Sequence, residues 1–171
     1  MKTSIVIPAH NEEESIAATV QSVLDSVTVP YELLVVADHC TDGTERIIQE
    51  FAARHPQITM LRNTERRGSF SNSVITGYKA ATGDCIVTVM ADLCDDPATI
   101  NAMTKKIEEG YDVVCGSRYI KGGRKIGGPW LQDKLSRLVC ITLKLLTNVP
   151  TWDAANSYKM YRSSVLRNGT E

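Results

Sequence analysis

Three carboxylates crowd the end of one apolar run. In VTVMADLCDDP (87–97) the chain passes from Val87–Met90 to Asp92, Asp95 and Asp96, then to Pro97. Asp96 before a proline is what a helix start requires: a capping oxygen, then a first residue with no N–H to satisfy. One acid suffices for that. Asp92 and Asp95 are surplus, and carboxylates at such a junction suit a hard cation, Mg2+ or Mn2+, held together with substrate phosphates. Arg118 follows another apolar run, and its guanidinium fork matches phosphate oxygens. It is the candidate clamp on a diphosphate, with a salt bridge at a loop edge as the plainer role. Glycine loops that would cradle a phosphate by backbone alone are missing from the sequence: neither G-x-x-x-x-G-K-[ST] nor an early G-x-G-x-x-G occurs.

The elements that must position these residues follow from hydrophobic periodicity. TSIVIP (3–8), YELLVVA (31–37), ITMLR (58–62), DCIVTVM (84–90) and YDVVCGS (111–117) read as strands. Between them lie helical repeats: Ile16, Val20, Val23, Leu24 and Val27; then Ile47, Ile48 and Phe51 behind a capping Asp42; then Val74, Tyr78 and Ala81 opened by Ser69 or Ser71; then Ile100, Met103 and Ile107 behind Asp96. Continuous apolar strands alternating with helices predict an α/β fold, a mostly parallel sheet flanked by helices. Ligands of such sheets sit beyond the carboxyl ends of the strands. That edge gathers Pro8, Ala9, His10, Asn11 and Glu12, then Asp38 to Asp42, then Ala91 and Asp92, then Gly116 to Arg118. Strand-to-helix junctions are polar in any case, but Asp42 and Asp96 already meet that need.

Past Ser117 the pattern changes. RYIKGGRKIGGPW is glycine-rich and basic, with Lys121, Arg124 and Lys125 among Gly122, Gly123, Gly127 and Gly128, so it can move over a ligand or simply be solvated. A helix of about 17 residues is predicted next, with Leu131, Leu135, Leu138, Val139, Leu145 and Leu146 on one face and Lys134, Arg137 and Lys144 away from its centre. This is an amphipathic helix that can lie on a bilayer or pack on the sheet. NSYKMYR (156–162) reads as a further strand.

Bulk properties exclude several classes. The 171 residues suit a single domain, read here as 1–171 and cut from something longer at its C-terminus. The formal net charge of −1 gives no global pull toward nucleic acid. Five irregularly spaced cysteines make neither a disulfide framework nor a C-x-x-C zinc pair, which fits a reduced, cytoplasmic compartment. The opening residues are too short in apolar stretch for a signal peptide, and no run of about 18 apolar residues can span a bilayer.

SIVIPAHNEEESI, LLVVADHCTDGT, RRGSFSNSVITGYKAATGD, MADLCDDP and GSRYIKGG, in this order, resemble the family 2 glycosyltransferases of the GT-A fold, a Rossmann-like nucleotide-diphospho-sugar transferase architecture. Within them the chain looks most like the dolichyl- and polyprenyl-phosphate sugar synthases, over residues 3 to about 166. The resemblance implies that Pro8, Ala9, His10, Asn11, Glu12, Asp38, Ala91 and Asp92 serve the donor nucleotide. It implies that Asp92 carries the metal, with Cys94 and Asp95 beside it. It also implies that Lys121, Arg124, Lys125, Ser136, Arg137 and Asp153 face the acceptor phosphate, and that Tyr158, Lys159 and Arg162 belong to a basic, aromatic strand. Two positions depart from the family: Met90 stands for the first acid of its D-x-D, and Cys94 for a usual amide. His39 and Cys40 replace small residues and read as local variation.

Implied, then, is an inverting sugar transfer from a nucleoside diphosphate sugar, GDP-mannose or a UDP-hexose, to a polyprenyl phosphate. The protein would be cytoplasmic and peripheral at the membrane face, and Asp92 and Arg118 would stabilise the leaving diphosphate. A phosphate monoester has its second pKa near ~6, so it attacks without a general base. Two other readings stand beside this one. A sugar hydroxyl acceptor would need a base, with Asp153 the first candidate; a binding module would hold the nucleotide without turnover.

Overall fold

The protein is described here from a computed structural model that covers residues 1–120, 123, 130–147, 149–154 and 156–168, the side chains of 130–133, 167 and 168 excepted. It divides into two compact units, Met1–Val114 with Met160–Glu171, and Cys115–Lys159.

The first unit is built on β1 (Thr3–Ala9), β2 (Tyr31–Ala37), β3 (Ile58–Arg62) and β4 (Cys85–Thr88), all parallel. β5 (Val113–Cys115) and β6 (Lys159–Arg162) complete a sheet of order β3-β2-β1-β4-β6-β5. β1 lies between β2 and β4 and is buried along its whole length, both of its faces being covered, which is why its sequence does not alternate. Pro8 has no N–H to give a ladder and falls past the last β4 rung, Val6↔Thr88. The helices are α1 (Ile16–Ser26), α2 (Thr44–Arg54), α3 (Phe70–Ala80), α4 (Thr99–Glu108) and the short α6 (Ser163–Asn168). α3 packs on β1 and β2, and α4 on β4. Val6, Leu34, Val36, Ala81 and Ile86 form one apolar cluster, joined by Leu61, Tyr78 and Leu166. The residues after the last strand form the helix α6, where no clear element was expected, and its Leu166 joins this cluster.

Several expectations needed adjustment. β4 ends at Thr88: Val89 still donates to Val6, but the Met90 N–H turns to the Asp95 carboxylate at 2.9 Å and leaves the ladder. β6 is shorter than 156–162 and runs antiparallel to β4, inserted between β4 and β5. Asp42 and Asp96 do not cap in the strict sense. Each accepts the N–H two residues on, from Thr44 and Ala98 at 3.0 Å, and so shapes the turn before its helix. Ser69, not Ser71, caps α3, accepting from the Asn72 N–H at 3.1 Å.

At the amino ends of the strands Glu32 staples three of them. Its carboxylate accepts from Lys2 Nζ (2.8 Å), Ser4 Oγ (2.6 Å), and the Thr82 N–H (2.7 Å) and hydroxyl.

In the second unit α5 (Trp130–Thr147) turns Cys140 inward, completely buried. Leu135, Leu138, Leu145 and Leu146 are exposed, at 59–80%. Lys144 lies over the Trp152 ring at 4.0 Å. Among the described residues no helix is long and apolar enough to cross a membrane.

Candidate functional site

The strand order reverses direction at β1, whose neighbours are β2 and β4, so the crevice for a ligand opens beyond the carboxyl ends of β1 and β4. A cleft of about 300 Å³ lies there, lined by Asn11, Glu12, Glu13, Glu14, Ser15, Asp42 and Asp92.

Each wall is fixed by hydrogen bonds between loops. Asn11 adopts φ 54°, and its side-chain oxygen accepts from the Thr41 N–H at 2.8 Å, tying the turn after β1 to the turn after β2. Glu12 donates its N–H to Thr44 Oγ1 (2.8 Å), and its carboxylate accepts from Ser15 Oγ (2.8 Å). The Glu13 carboxylate accepts from the Gly43 N–H at 2.7 Å, while its own N–H reaches Asp42 at 3.2 Å. Thr19 on α1 donates to the Ala91 carbonyl at 2.7 Å and so pins the turn that presents Asp92. Left-handed residues follow each of these strands: Asn11 (φ 54°), His39 (φ 50°) and Leu93 (φ 63°). Such conformations cost energy in residues other than glycine and concentrate where loops must hold a set shape.

Asp92 is exposed, and one oxygen accepts from the Cys94 N–H at 3.1 Å. Asp95 turns back to the Met90 N–H. Burial, then the hydrogen bond to Asp92 and the charges of Asp95 and Asp92, push the Cys94 thiol up to about 12, so it stays protonated at neutral pH. Among the described residues no group of three His, Cys, Asp or Glu is arranged to hold a metal. The residues present therefore fit a cation only as one carboxylate can, with phosphate oxygens and water supplying the remainder. The need for such a cation is electrostatic: five of the seven lining residues are acids and none is basic, so an unaccompanied diphosphate would be repelled.

One strand over, His10 and Asp38 meet each other outside the cleft. His10 Nδ1 lies 2.5 Å from the Asp38 carbonyl. The Asp38 carboxylate is 5% exposed as a residue and accepts from Asn63 Nδ2 and from His39 Nδ1, both at 2.8 Å. Burial raises its pKa, but the bonds from His39, Asn63 and Ser73 outweigh that and leave it below the ordinary value. Gly68 presses on the same carboxylate, where an added Cβ would come within 3.0 Å of Oδ1. Asn63, buried at the end of β3, was not expected from sequence, although the rule that polar residues collect at strand exits points to it. Glu13, Glu14 and Ser15 were likewise missed because the run EEES reads as a solvated helix start.

In the second unit Arg118 and Asp153 form one construction. Asp153 is fully buried; Oδ2 accepts from the Arg118 N–H (3.0 Å) and Nε (2.8 Å), and Oδ1 from Nη2 (2.8 Å). Burial raises the pKa of Asp153 and the Arg118 bonds overcome it, so the carboxylate stays ionised below its usual range. Arg118 and Arg137 lie over the Tyr119 ring, at 5.2 and 5.9 Å from its centroid. Ser136 is half-buried, and Lys134 and Arg137 are exposed. Gly123 sits where an added Cβ would fall 2.4 Å from the Ser117 carbonyl, so close packing demands a glycine there. Lys159 donates to the Ala154 and Asn156 carbonyls. In the first unit Arg162 pairs with Asp112 at 3.0 Å. Lys121, Gly122, Arg124, Lys125, Gly127 and Gly128 lie outside the described residues, as do the side chains of Trp130 and Leu131.

A sequence profile described as glycosyl transferase family 2 matches residues 4–170. The chain belongs to glycosyl transferase family 2. It is 34% identical over 138 residues to a dolichol-phosphate mannosyltransferase of Pyrococcus furiosus, covering 80% of this chain and 39% of that protein. It is 27% identical over 168 residues to an undecaprenyl-phosphate 4-deoxy-4-formamido-L-arabinose transferase of Serratia proteamaculans, covering 96% of this chain and 50% of that one. This family 2 chain thus spans half or less of the length of these curated relatives. Its fold is GT-A. A glucosyl-3-phosphoglycerate synthase from Mycobacterium tuberculosis, in complex with Mn2+, UDP and glucosyl-3-phosphoglycerate, superposes with TM-score 0.71 at 19% identity, over 96% of this chain and 58% of that one. A mannosyltransferase from Pyrobaculum calidifontis, in complex with GDP-Man and Mn2+, does so with TM-score 0.68 at 19% identity, over 98% and 46%.

Proposed function

We propose that this chain carries the transfer site of an inverting glycosyltransferase that moves a sugar from a nucleoside diphosphate sugar to a polyprenyl phosphate. The supporting observation is Asp92, exposed at the β1/β4 switch point where it accepts the Cys94 N–H, in a cleft where Glu12, Glu13 and Asp42 are spent on the Ser15 hydroxyl and on the Gly43 and Thr44 N–H groups. Asp92 would hold Mg2+ or Mn2+, which when bound would supply positive charge beside a leaving diphosphate. Asn11 and Glu12 shape the wall of the cleft, and Asp38, with its donors His39 and Asn63, offers a fixed negative group for the nucleoside.

The acceptor side favours a phosphate over a sugar hydroxyl. A hydroxyl needs a general base, and Asp153, the first candidate from sequence, is buried with both oxygens engaged by Arg118. A phosphate monoester is already largely ionised at neutral pH and needs cations instead; Arg137 and Lys134 of the second unit would supply them, together with Arg118, which the sequence reading gave to the leaving diphosphate and which is proposed here for the acceptor because it is paired with Asp153. The exposed leucines of α5 fit the isoprenoid and a bilayer surface, with Lys134 and Arg137 as headgroup contacts. The names of the curated relatives, one dolichol-phosphate and one undecaprenyl-phosphate transferase, agree with this reading.

The test is transfer of radiolabelled sugar from GDP-mannose, UDP-glucose or a UDP-N-acetylhexosamine to undecaprenyl or dolichyl phosphate, in Mg2+ or Mn2+. Label in the lipid phase that depends on the phosphate and on Asp92 is expected. Nucleotide binding without label in any lipid or glycan, in the full-length protein, would make this a binding module.

A further inference from the structure

The contacts of Asp153 allow a narrower assignment than a place near the acceptor. We infer that Asp153 is a positioning residue that sets the guanidinium of Arg118 edge-on toward the acceptor phosphate, and that it neither touches the acceptor nor takes a proton from it. The inference rests on the phosphate-acceptor reading above.

Three contacts carry it. The carboxylate meets Arg118 through Nε and Nη2, the side-on fork, and adds the Arg118 backbone N–H. That fixes the side chain at both ends: the backbone N–H holds Asp153 against residue 118, and the guanidinium cannot swing about its stem without breaking the Nε and Nη2 bonds to the same carboxylate. Nη1 has no partner among the described residues, and the Arg118 side chain retains 29% of its exposure whereas that of Asp153 retains none. A ligand can therefore reach the arginine but not the aspartate. Asp153 is itself oriented: its N–H donates to Thr151 Oγ1 at 3.1 Å, and the Cys140 thiol of α5 lies 3.9 Å from Oδ1. The Tyr119 ring, with Arg118 and Arg137 both over it, limits where the free edge can point. A fork fixed in advance loses less freedom on binding a planar oxygen pair than a free arginine does.

The experiment compares binding of farnesyl phosphate and of farnesol, by titration calorimetry on the whole chain, with melting curves for every variant. The wild type should prefer the phosphate. Asp153→Asn should lose about tenfold of that preference while farnesol binding is unchanged, the scale of one hydrogen bond to a charged group. Asp153→Glu keeps the negative charge, and should show a smaller loss of the same kind in the folded variant. Arg118→Met and the double variant Arg118→Met/Asp153→Asn should be alike, since the aspartate acts only through the arginine; the double variant removes both buried charges together, the change such a pair tolerates best. A merely structural role would weaken farnesol and farnesyl phosphate together and overturn the inference. So would a further loss in the double variant, or wild-type preference in both Asp153 variants. A wild type that does not distinguish farnesyl phosphate from farnesol overturns the phosphate-acceptor reading itself, and the inference with it.

Discussion

Glu32 and Asp92 stand at opposite ends of one sheet. Glu32, at the amino ends, receives donors from Lys2, Ser4 and Thr82; Asp92, at the carboxyl ends, receives one backbone N–H. Burial raises the pKa of Glu32, yet its hydrogen bonds lower it to about 2. The difference separates two uses of a carboxylate. A satisfied one stores stability, whereas one left with spare lone pairs at a crevice is available to a ligand and contributes little to the fold. The cleft around Asp92 fits the same division. Glu12, Glu13 and Asp42 are spent on holding loops, and Asp92 is the acid the turn presents.

The sharpest way to break this comparison is Asp92→Ala. Sugar transfer should fall by about 10²–10³-fold, as when a group stabilising developing charge is removed, with the melting temperature within a degree or so of wild type. A large drop in melting temperature would make Asp92 a structural acid like Glu32. Glu32→Ala should do the reverse. It leaves Ser4 and Thr82 without their acceptor, at a cost on the order of 2–3 kcal/mol, or about 5–10 °C in melting temperature, with kcat of the folded protein retained.

The pH dependence of stability sharpens the contrast. The folded pKa of Glu32 is depressed, so its contribution is present above its unfolded value of about 4.3–4.5 and is lost as pH falls toward about 2. Chemical denaturation followed from pH 6 to pH 3 should show a loss of stability for the wild type that is reduced in Glu32→Gln. The smallest effect belongs to the α3 cap: Ser69→Ala removes the acceptor for the Asn72 N–H and should cost about 1 kcal/mol, read as a shift in denaturation midpoint.

Much of the first unit could be read from sequence. β2 and β3 fall on the residues expected, because a fully buried parallel strand is a continuous apolar run bounded by turn residues. Pairing was harder. MYR at 160–162 has no period that reveals an antiparallel partner, and its place between β4 and β5 depends on where the chain returns after residues 115–159. At the site, Asp92 and Asn11 were found by the strand-exit rule, but Glu13 and Glu14 resemble any acidic helix start. The engagement of Asp153 with Arg118 was hidden for another reason: 35 residues separate the partners, and both types also suit a ligand. The apolar face of α5 could be read as a pattern, but only the exposure of Leu145 and Leu146 separates a free face from core packing.

The central claim is that a lone carboxylate holds a cation jointly with a nucleoside diphosphate. Mn2+ binding followed by electron paramagnetic resonance, with and without GDP or UDP, tests it directly. Weak binding of Mn2+ alone, tightened by one of the nucleotides and lost in Asp92→Asn, is the predicted result. Tight Mn2+ binding that ignores the nucleotide, or nucleotide binding indifferent to both Mn2+ and Asp92, would contradict it.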